Sequence, residues 1–371
     1  MPAPMTADPT RTTPPLPAVR LQRIGIVMMS AVGDAVHVMP LVHALKAHAP
    51  GCHITWVLQP GPASLVRGHP LVDDIILFDR GRGWRAFRDV RRELASRRFD
   101  VVLALQVYFK AGLVTAFTSS TVKLGFDRAR ARDLNSLFTT HAIAPHVGQH
   151  VQDQYFEFLD ALGVPHDAAH GAPSWTLGPW NADERAWQRE FLSQFTRPIA
   201  PIVVATSKAE KDWMPERWAR VCHLLWDEFG LQPVLVGGRS PREVAAESVI
   251  LREAPMAHSA LGSGLRKLAA ILDGAAVALS PDTGPLHLAV ALRTPVIGLM
   301  GYTNPKRVGP YDFSRDLLVD AYGDAGEDYP LDMVYRHDRM TRITVDDVHG
   351  MLRRWAERYR ADRLAALSAA R

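Results

Sequence analysis

The chain has 371 residues, of which 47% are hydrophobic and 22% are charged. That length exceeds one ordinary hydrophobic core and suits two domains, and the charged fraction excludes an intrinsically disordered chain. A net charge of +4 favours an anionic partner, but charge alone does not choose among nucleic acid, phospholipid headgroups and phosphorylated glycolipids. Two cysteines are too few for a disulfide framework or a zinc site, so Cys52 and Cys222 are expected to be buried apolar residues.

The first residues of the chain do not have the pattern of a signal peptide. Residues 1–19 are rich in proline and threonine and lack the apolar core of a signal peptide. No apolar run approaches the roughly 20 residues that are needed to cross a bilayer. We therefore expect residues 1–19 to form a disordered leader and the protein to be cytoplasmic.

Short apolar runs alternate with helical patterns in two successive series. Fully apolar runs are typical of strands that are buried on both faces of a parallel sheet. The predicted strands are 25–29, 53–58, 74–78 and 101–105, then 202–206, 233–236, 275–279 and 295–300. The predicted helices are 34–48 and 84–98, then 215–229, 242–252, 265–272 and 285–292. This alternation predicts an α/β fold with two Rossmann-like domains.

The stretch between the two series has the proline and glycine density of a linker, at residues 171–180. It divides the chain into an N-terminal domain over residues 20–175 and a C-terminal domain over 176–345. Residues 346–371 are predicted to form a C-terminal helix, with the option that it packs back on the N-terminal domain.

The first candidate site is the turn SAVGDAVH, Ser30–His37, which follows the first strand. Ligands of open α/β sheets bind beyond the carboxyl ends of strands, where glycine lets them approach the backbone. Gly33 and Asp34 occupy that position. The alternative is that Asp34 only caps the next helix. The turn lacks GxGxxG spacing, which disfavours a nicotinamide-dependent enzyme.

A second candidate site is SPDTGPLH, where Asp282, Thr283 and Gly284 fall at a helix start. Free backbone N–H groups and the helix dipole favour anions there. A diphosphate would be bound by the amides of Thr283 and Gly284 and by the Thr283 hydroxyl, and His287 would reach the same phosphate. The alternative is a capped helix with a buried histidine.

A third stretch, TSKAEKDWMPERW, places Ser207, Lys208 and Lys211 between a strand and a helix. Lysines there neutralise a phosphate without a metal. The alternative is a solvated charged loop. Trp213 and Trp218 are expected to be core residues.

The segment 80–98 combines many arginines with an apolar stripe of Trp84, Phe87, Val90 and Leu94. One interpretation is a helix that buries this stripe and hydrates its arginines. The other is docking onto anionic lipid headgroups or a phosphorylated glycolipid. Nucleic-acid binding is disfavoured because no aromatic platform or known module accompanies the charge.

Together the three motifs resemble glycosyltransferase family 9, the lipopolysaccharide heptosyltransferases, over most of residues 21–345. The resemblance implies a GT-B fold, in which two Rossmann-like domains face each other across a cleft. It implies inversion at the anomeric carbon without a metal ion or other cofactor, and the chain carries no DxD-type cluster before a loop. ADP-heptose is the implied donor and the lipopolysaccharide core the implied acceptor, with peripheral contact at the inner membrane as an option. Another sugar or acceptor, or a binding protein without activity, are the alternatives.

The resemblance also implies roles by position. Asp34 matches the catalytic base that takes the proton of the acceptor hydroxyl. Donor diphosphate binding falls to Ser207, Lys211, Asp282, Thr283, Gly284 and His287. Glu243, after the pair Gly237–Gly238, is expected at the nucleoside. Gly33 and Arg132 are expected at the acceptor side of the cleft, with Arg128 and Arg130 as alternatives to Arg132. Departures from the family pattern at Ala31, at Met214 and over 106–120 bear mainly on the acceptor.

Overall fold

Within residues 16–166 and 174–369, which the computed structural model describes, twelve strands form two six-stranded parallel sheets. The strands of the first sheet are β1 (Arg23–Val27), β2 (His53–Leu58), β3 (Asp74–Leu77), β4 (Val101–Ala104), β5 (Val122–Gly125) and β6 (His141–Ala142). Those of the second are β7 (Ile199–Val203), β8 (Gln232–Val236), β9 (His258–Ser259), β10 (Ala278–Pro281), β11 (Val296–Met300) and β12 (Leu318–Asp320). The prediction of two Rossmann-like sheets is confirmed.

Helices cover both sheets. In the first half they are α1 (Val32–His48), α2 (Pro60–Val66), α3 (Trp84–Ala95), α4 (Phe109–Ala116) and α5 (Val151–Leu162). In the second half they are α6 (Ala182–Ser193), α7 (Pro215–Asp227), α8 (Pro241–Glu253), α9 (Leu265–Asp273), α10 (Gly284–Ala291), α11 (Pro305–Val308), α12 (Val345–Arg358) and α13 (Arg360–Ala369). We call β1–β6 with α1–α5 the first lobe and β7–β12 with α6–α13 the second lobe. No helix of the described residues is long and apolar enough to span a bilayer.

The strand order of each sheet determines where a ligand binds. The first sheet runs β3-β2-β1-β4-β5-β6 and the second β12-β11-β10-β7-β8-β9. The order therefore reverses between β1 and β4 in one lobe and between β7 and β10 in the other. In doubly wound sheets ligands bind in the crevice outside the carboxyl ends of the strands at this reversal. All three sequence motifs follow strands at these two points.

The lobes share packed apolar surface beside the cleft. Helix α1 packs against α5 of its own lobe and against α10 of the other, which is why it is buried on nearly all sides. One hydrophobic cluster contains Met39 and Val42 of α1 together with Leu286 and Val290 of α10. Burial of this apolar area favours contact between the lobes.

Several elements differ from the sequence prediction. Residues 1–15, 167–173 and 370–371 lie outside the described residues, and Leu16 and Val19 of the expected leader pack against the core. In the expected linker, Trp175 and Leu177 are buried. The expected single C-terminal helix is two, α12 and α13, and Arg363 of α13 hydrogen-bonds the backbone carbonyls of Asp273 and Ala275 in the second lobe. Both cysteines are free and buried, as predicted.

Candidate active site

Asp34 lies in the first turn of α1, at the strand reversal of the first lobe. Its Oδ2 accepts a hydrogen bond from the backbone N–H of Ala31 at 2.7 Å, so Asp34 does cap the helix. Its Oδ1 accepts a hydrogen bond from the hydroxyl of Tyr155 at 3.2 Å. Burial raises the pKa of Asp34 above its ordinary value, although both hydrogen bonds oppose the shift. Asp34 therefore caps the helix, and its raised pKa also makes its carboxylate a stronger base than that of an ordinary aspartate.

Gln106, which follows β4, holds the loop before Asp34 in place. Its Oε1 accepts a hydrogen bond from the N–H of Met29 at 3.1 Å, and its Nε2 donates to the carbonyl of Ser30 at 2.9 Å. The side chain thus joins the ends of β1 and β4, the two strands between which the order reverses.

Lys211 and Asp282 meet at the corresponding reversal of the second lobe, where they form an ion pair. The Lys211 ammonium also donates to the carbonyl oxygen of Asp282 at 3.3 Å, and the Thr303 hydroxyl donates to its carboxylate. Burial alone would raise the pKa of Asp282, but His287 and Lys211 together lower it well below its usual range. The carboxylate is therefore ionised.

The helix start after β10 matches the predicted anion site in position. Thr283 is the N-cap of α10, and its side chain makes no capping hydrogen bond. His287 is buried one turn into the helix, with Nε2 at 3.7 Å from Oδ1 of Asp282. Ser207 is exposed, and the ammonium of Lys208 lies 4.6 Å from the ring centroid of Tyr335.

The two sites contact each other directly. A methyl group built on Gly33 would lie 2.8 Å from Cδ2 of His287, and one built on Gly284 would lie 2.9 Å from Cβ of Val32. Real Cβ atoms do not approach other atoms so closely, so only glycine fits at either position without a shift. The structure thereby brings the turn that carries Asp34 against His287 of the other lobe, whose Nε2 lies 3.7 Å from the Asp282 carboxylate.

The remaining predicted residues occupy different places. Arg132 is exposed, and its guanidinium lies 3.2 Å from Sδ of Met333 in the second lobe. Arg130 instead pairs with Asp127 and Glu157 of its own lobe.

Glu243 has a structural task in the loop after β8. Its carboxylate accepts hydrogen bonds from the backbone N–H groups of Gly238 at 2.6 Å and Ser240 at 2.7 Å. These bonds shape the Gly237–Gly238 turn and cap α8.

Sequence reasoning missed four residues near Asp34: His37, Gln152, Tyr155 and Arg307. Gln152 and Tyr155 belong to α5, and the hydrogen bond from Tyr155 joins residues that are 121 positions apart. Arg307 of α11 lowers the pKa of Asp34 by its charge, and its buried Nε has no hydrogen-bond partner among the described residues. Of these four residues, only His37 lies inside a motif that the sequence identified, the turn Ser30–His37.

Comparison with known proteins identifies the family of this chain. Residues 87–325, more than half of the chain, match the family model for glycosyltransferase family 9 (heptosyltransferase). The lipopolysaccharide core heptosyltransferase OpsX of Haemophilus influenzae is 29% identical over 299 residues, which cover 80% of this chain and 84% of that one. Lipopolysaccharide heptosyltransferase 1 of Pseudomonas aeruginosa is 28% identical over 325 residues, covering 83% and 84%. The solved structure of E. coli heptosyltransferase WaaC with ADP has a TM-score of 0.70 at 26% identity, covering 92% of this chain and 100% of that chain. The chain therefore belongs to glycosyltransferase family 9 and is a glycosyltransferase of GT-B fold.

Proposed function

We propose that this enzyme transfers heptose from ADP-heptose to a lipopolysaccharide core acceptor, with inversion and without a metal ion. The observation that supports the proposal is the contact between the lobes, where the turn that carries Asp34 packs against His287 and His287 lies beside the Lys211–Asp282 pair. The named activities of the relatives support the choice of sugar and acceptor.

In this mechanism Asp34 takes the proton of an acceptor hydroxyl while the hydroxyl oxygen attacks the anomeric carbon of the donor sugar. The bond from that carbon to the diphosphate oxygen breaks, and its electron pair leaves with the nucleoside diphosphate. A raised pKa makes Asp34 a better proton acceptor near neutral pH. Attack from the side opposite the leaving group inverts the anomeric centre.

The negative charge of the leaving group develops at the second lobe. A lysine ammonium has three donor hydrogens, of which Asp282 engages two on Lys211. The third is left for a phosphate oxygen, and Asp282 fixes its direction. Backbone N–H groups at the start of α10 add preorganised donors, and such fixed dipoles stabilise developing charge without rearrangement.

A donor screen tests this proposal. The melting temperature of the purified protein is measured with ADP-heptose and with other nucleotide sugars. In a separate reaction the enzyme is given donor and acceptor, and the product glycolipid is analysed by mass spectrometry. We expect ADP-heptose to raise the melting temperature and the acceptor to gain the mass of one heptosyl residue, which is heptose less one water. A shift with a different sugar nucleotide would replace the donor, and the absence of any shift at saturating concentrations would reject the catalytic proposal.

We further propose that the enzyme contacts an anionic membrane at the cytoplasmic face through α3. Of the two interpretations of this segment, the first buries Trp84 in the apolar stripe, but its side chain is 79% exposed at the start of the helix. Arg85 and Arg88 are exposed beside it, and Tyr108 and Phe109 are exposed at the start of α4. Exposed aromatic residues with arginines are typical of surfaces that lie on anionic lipid.

Co-sedimentation with lipid vesicles tests the membrane contact. We expect binding to vesicles that contain phosphatidylglycerol and little binding to pure phosphatidylcholine, with loss of binding in Trp84→Ala and in Arg85→Ala/Arg88→Ala. Arg252→Ala, which removes an exposed arginine from α8, is the matched control. Equal binding by all variants would exclude this surface.

A further inference from the structure

A chain of hydrogen bonds crosses the junction between the lobes beside Asp34. It runs from Gln152 on α5 through His37 on α1 to His287 on α10, and all three side chains are buried. The proposed mechanism assigns no task to the first two, although burial of polar side chains is costly unless each group is paired.

The orientation of the Gln152 amide is fixed by its two contacts. Its Nε2 donates to the backbone carbonyl of His37 at 3.1 Å, and a carbonyl oxygen can only accept. The Oε1 of Gln152 must therefore be the atom at 2.8 Å from Nδ1 of His37, and it too can only accept. The ring of His37 consequently carries a proton on Nδ1.

The second nitrogen of His37 sets the state of His287. Burial first, and then the neighbouring His287 and His150, hold the pKa of His37 well below its usual range, so the His37 ring is neutral and its Nε2 is a lone pair. This lone pair lies 3.2 Å from Nδ1 of His287, which must donate to it. The remaining nitrogen of His287, Nε2, lies 3.7 Å from the ionised carboxylate of Asp282. A lone pair there would be repelled by the carboxylate, whereas an N–H is attracted.

We propose that His37 and Gln152 are positioning residues that hold His287 as an imidazolium whose Nε2–H is presented at the donor diphosphate site. This inference rests on the proposed function for the identity of the anion. It adds a second fixed cation beside Lys211, and the residue that enforces it belongs to the opposite lobe. Contact between the lobes thus supplies charge for the departing diphosphate, because His37 reaches His287 only when α1 and α10 are packed together.

Nitrogen NMR of the 15N-histidine-labelled full chain tests the inference without donor or activity. We expect protons on both ring nitrogens of His287 and on Nδ1 alone of His37, with assignments taken from His287→Gln and His37→Gln. In Gln152→Leu the Nδ1 proton of His37 loses its acceptor, and we expect the doubly protonated signal of His287 to be lost or weakened. A neutral His287 in the unmodified protein would overturn the inference, even if heptose transfer were confirmed.

Kinetics supply a second readout. Without Gln152, His287 is no longer held as an imidazolium, and the departing diphosphate loses one charge-assisted contact. This predicts a fall in kcat of about tenfold to a hundredfold for Gln152→Leu, with a smaller change in KM for the donor. Gln152→Glu keeps the acceptor for His37 Nδ1 but adds a charge that favours a proton on His37 Nε2, opposite the His287 donor. We therefore expect Gln152→Glu to lose activity as well, although the substitution is isosteric.

His48→Gln, at the exposed end of the same helix, is the matched control and should retain full activity. Variants that are folded by their melting temperature yet keep normal kcat would contradict the inference. A folded protein without any transferase activity, but with the predicted NMR state, would reject the proposed function alone.

Discussion

Gly33 of the first lobe lies directly against the ring of His287 in the second, with 2.8 Å between Cδ2 of His287 and the place where a methyl group on Gly33 would be. The ring cannot simply turn away, because its Nδ1 is hydrogen-bonded to His37. This contact determines how closely the turn that carries Asp34 approaches the donor diphosphate site.

Gly33→Ala should therefore separate the two sites. A displacement of about 1 Å at reacting groups costs on the order of a hundredfold in rate, and we expect a loss of kcat of that order. The control is Gly51→Ala, where an added methyl group meets nothing within 4 Å. Unchanged turnover in Gly33→Ala would show that the contact is not needed for catalysis.

The Lys211–Asp282 pair is expected to contribute both to stability and to donor binding, and two variants distinguish these contributions. Removing one member of a buried ion pair leaves an uncompensated charge, so Lys211→Met should lower the free energy of unfolding by about 3–5 kcal/mol. Lys211→Met/Asp282→Asn should recover part of that stability, since the carboxylate that lacks its lysine partner is removed as well. The double variant should nevertheless bind ADP more weakly than the unmodified enzyme, as measured by calorimetry, because the Lys211 ammonium is absent. Normal ADP affinity in the double variant would remove Lys211 from the site.

Tyr155→Phe should shift the pH dependence of kcat/KM. The Tyr155 hydroxyl stabilises the ionised form of Asp34, so its loss raises the pKa of Asp34 further. Because the base must be ionised, the acid limb of the profile should move to higher pH by about one unit, while activity above the limb is largely kept. Tyr359→Phe, which loses a bond to Asp316 outside the cleft, should leave the limb in place. A shift to lower pH would contradict the assignment of the limb to Asp34.

Arg132 and Arg128 form a matched pair of exposed arginines in one loop, and Arg132 contacts Met333 of the second lobe. We expect Arg132→Gln to raise KM for the phosphorylated acceptor about tenfold, the loss of one charge-assisted contact. Arg128→Gln should change it little, and neither should alter ADP affinity. The reverse ranking would transfer the role to Arg128.

The sequence predicted the parts of the fold that depend on local pattern. The run His53–Leu58 matches β2 at both ends, because its mostly apolar, β-branched and aromatic residues are typical of a strand that is buried on both faces. The three motifs could be located because each follows such a strand, and parallel sheets bind ligands at strand ends. The two-residue strands β6 and β9 carry no periodicity and were missed.

The parts that could not be predicted depend on tertiary packing. His37 and His287 are 250 positions apart and meet only because α1 and α10 cross between the lobes. The spacing of Trp84 matched a buried stripe, yet the helix begins there and leaves the indole beyond the sheet. Glu243 is the converse case, a local feature that the sequence does encode. Its S-x-x-E spacing from Ser240 is the signature of a capping box.

In the proposed mechanism Asp34 is the base, and it is not needed for donor binding. The most direct measurement compares Asp34→Asn with the unmodified enzyme for ADP-heptose affinity, by calorimetry, and for single-turnover heptose transfer. If Asp34 is the base, the affinity of Asp34→Asn for ADP-heptose should be unchanged within about twofold, and its transfer rate should be lower by a factor of about 10²–10⁴. Transfer at the normal rate, or loss of donor affinity together with activity, would contradict it.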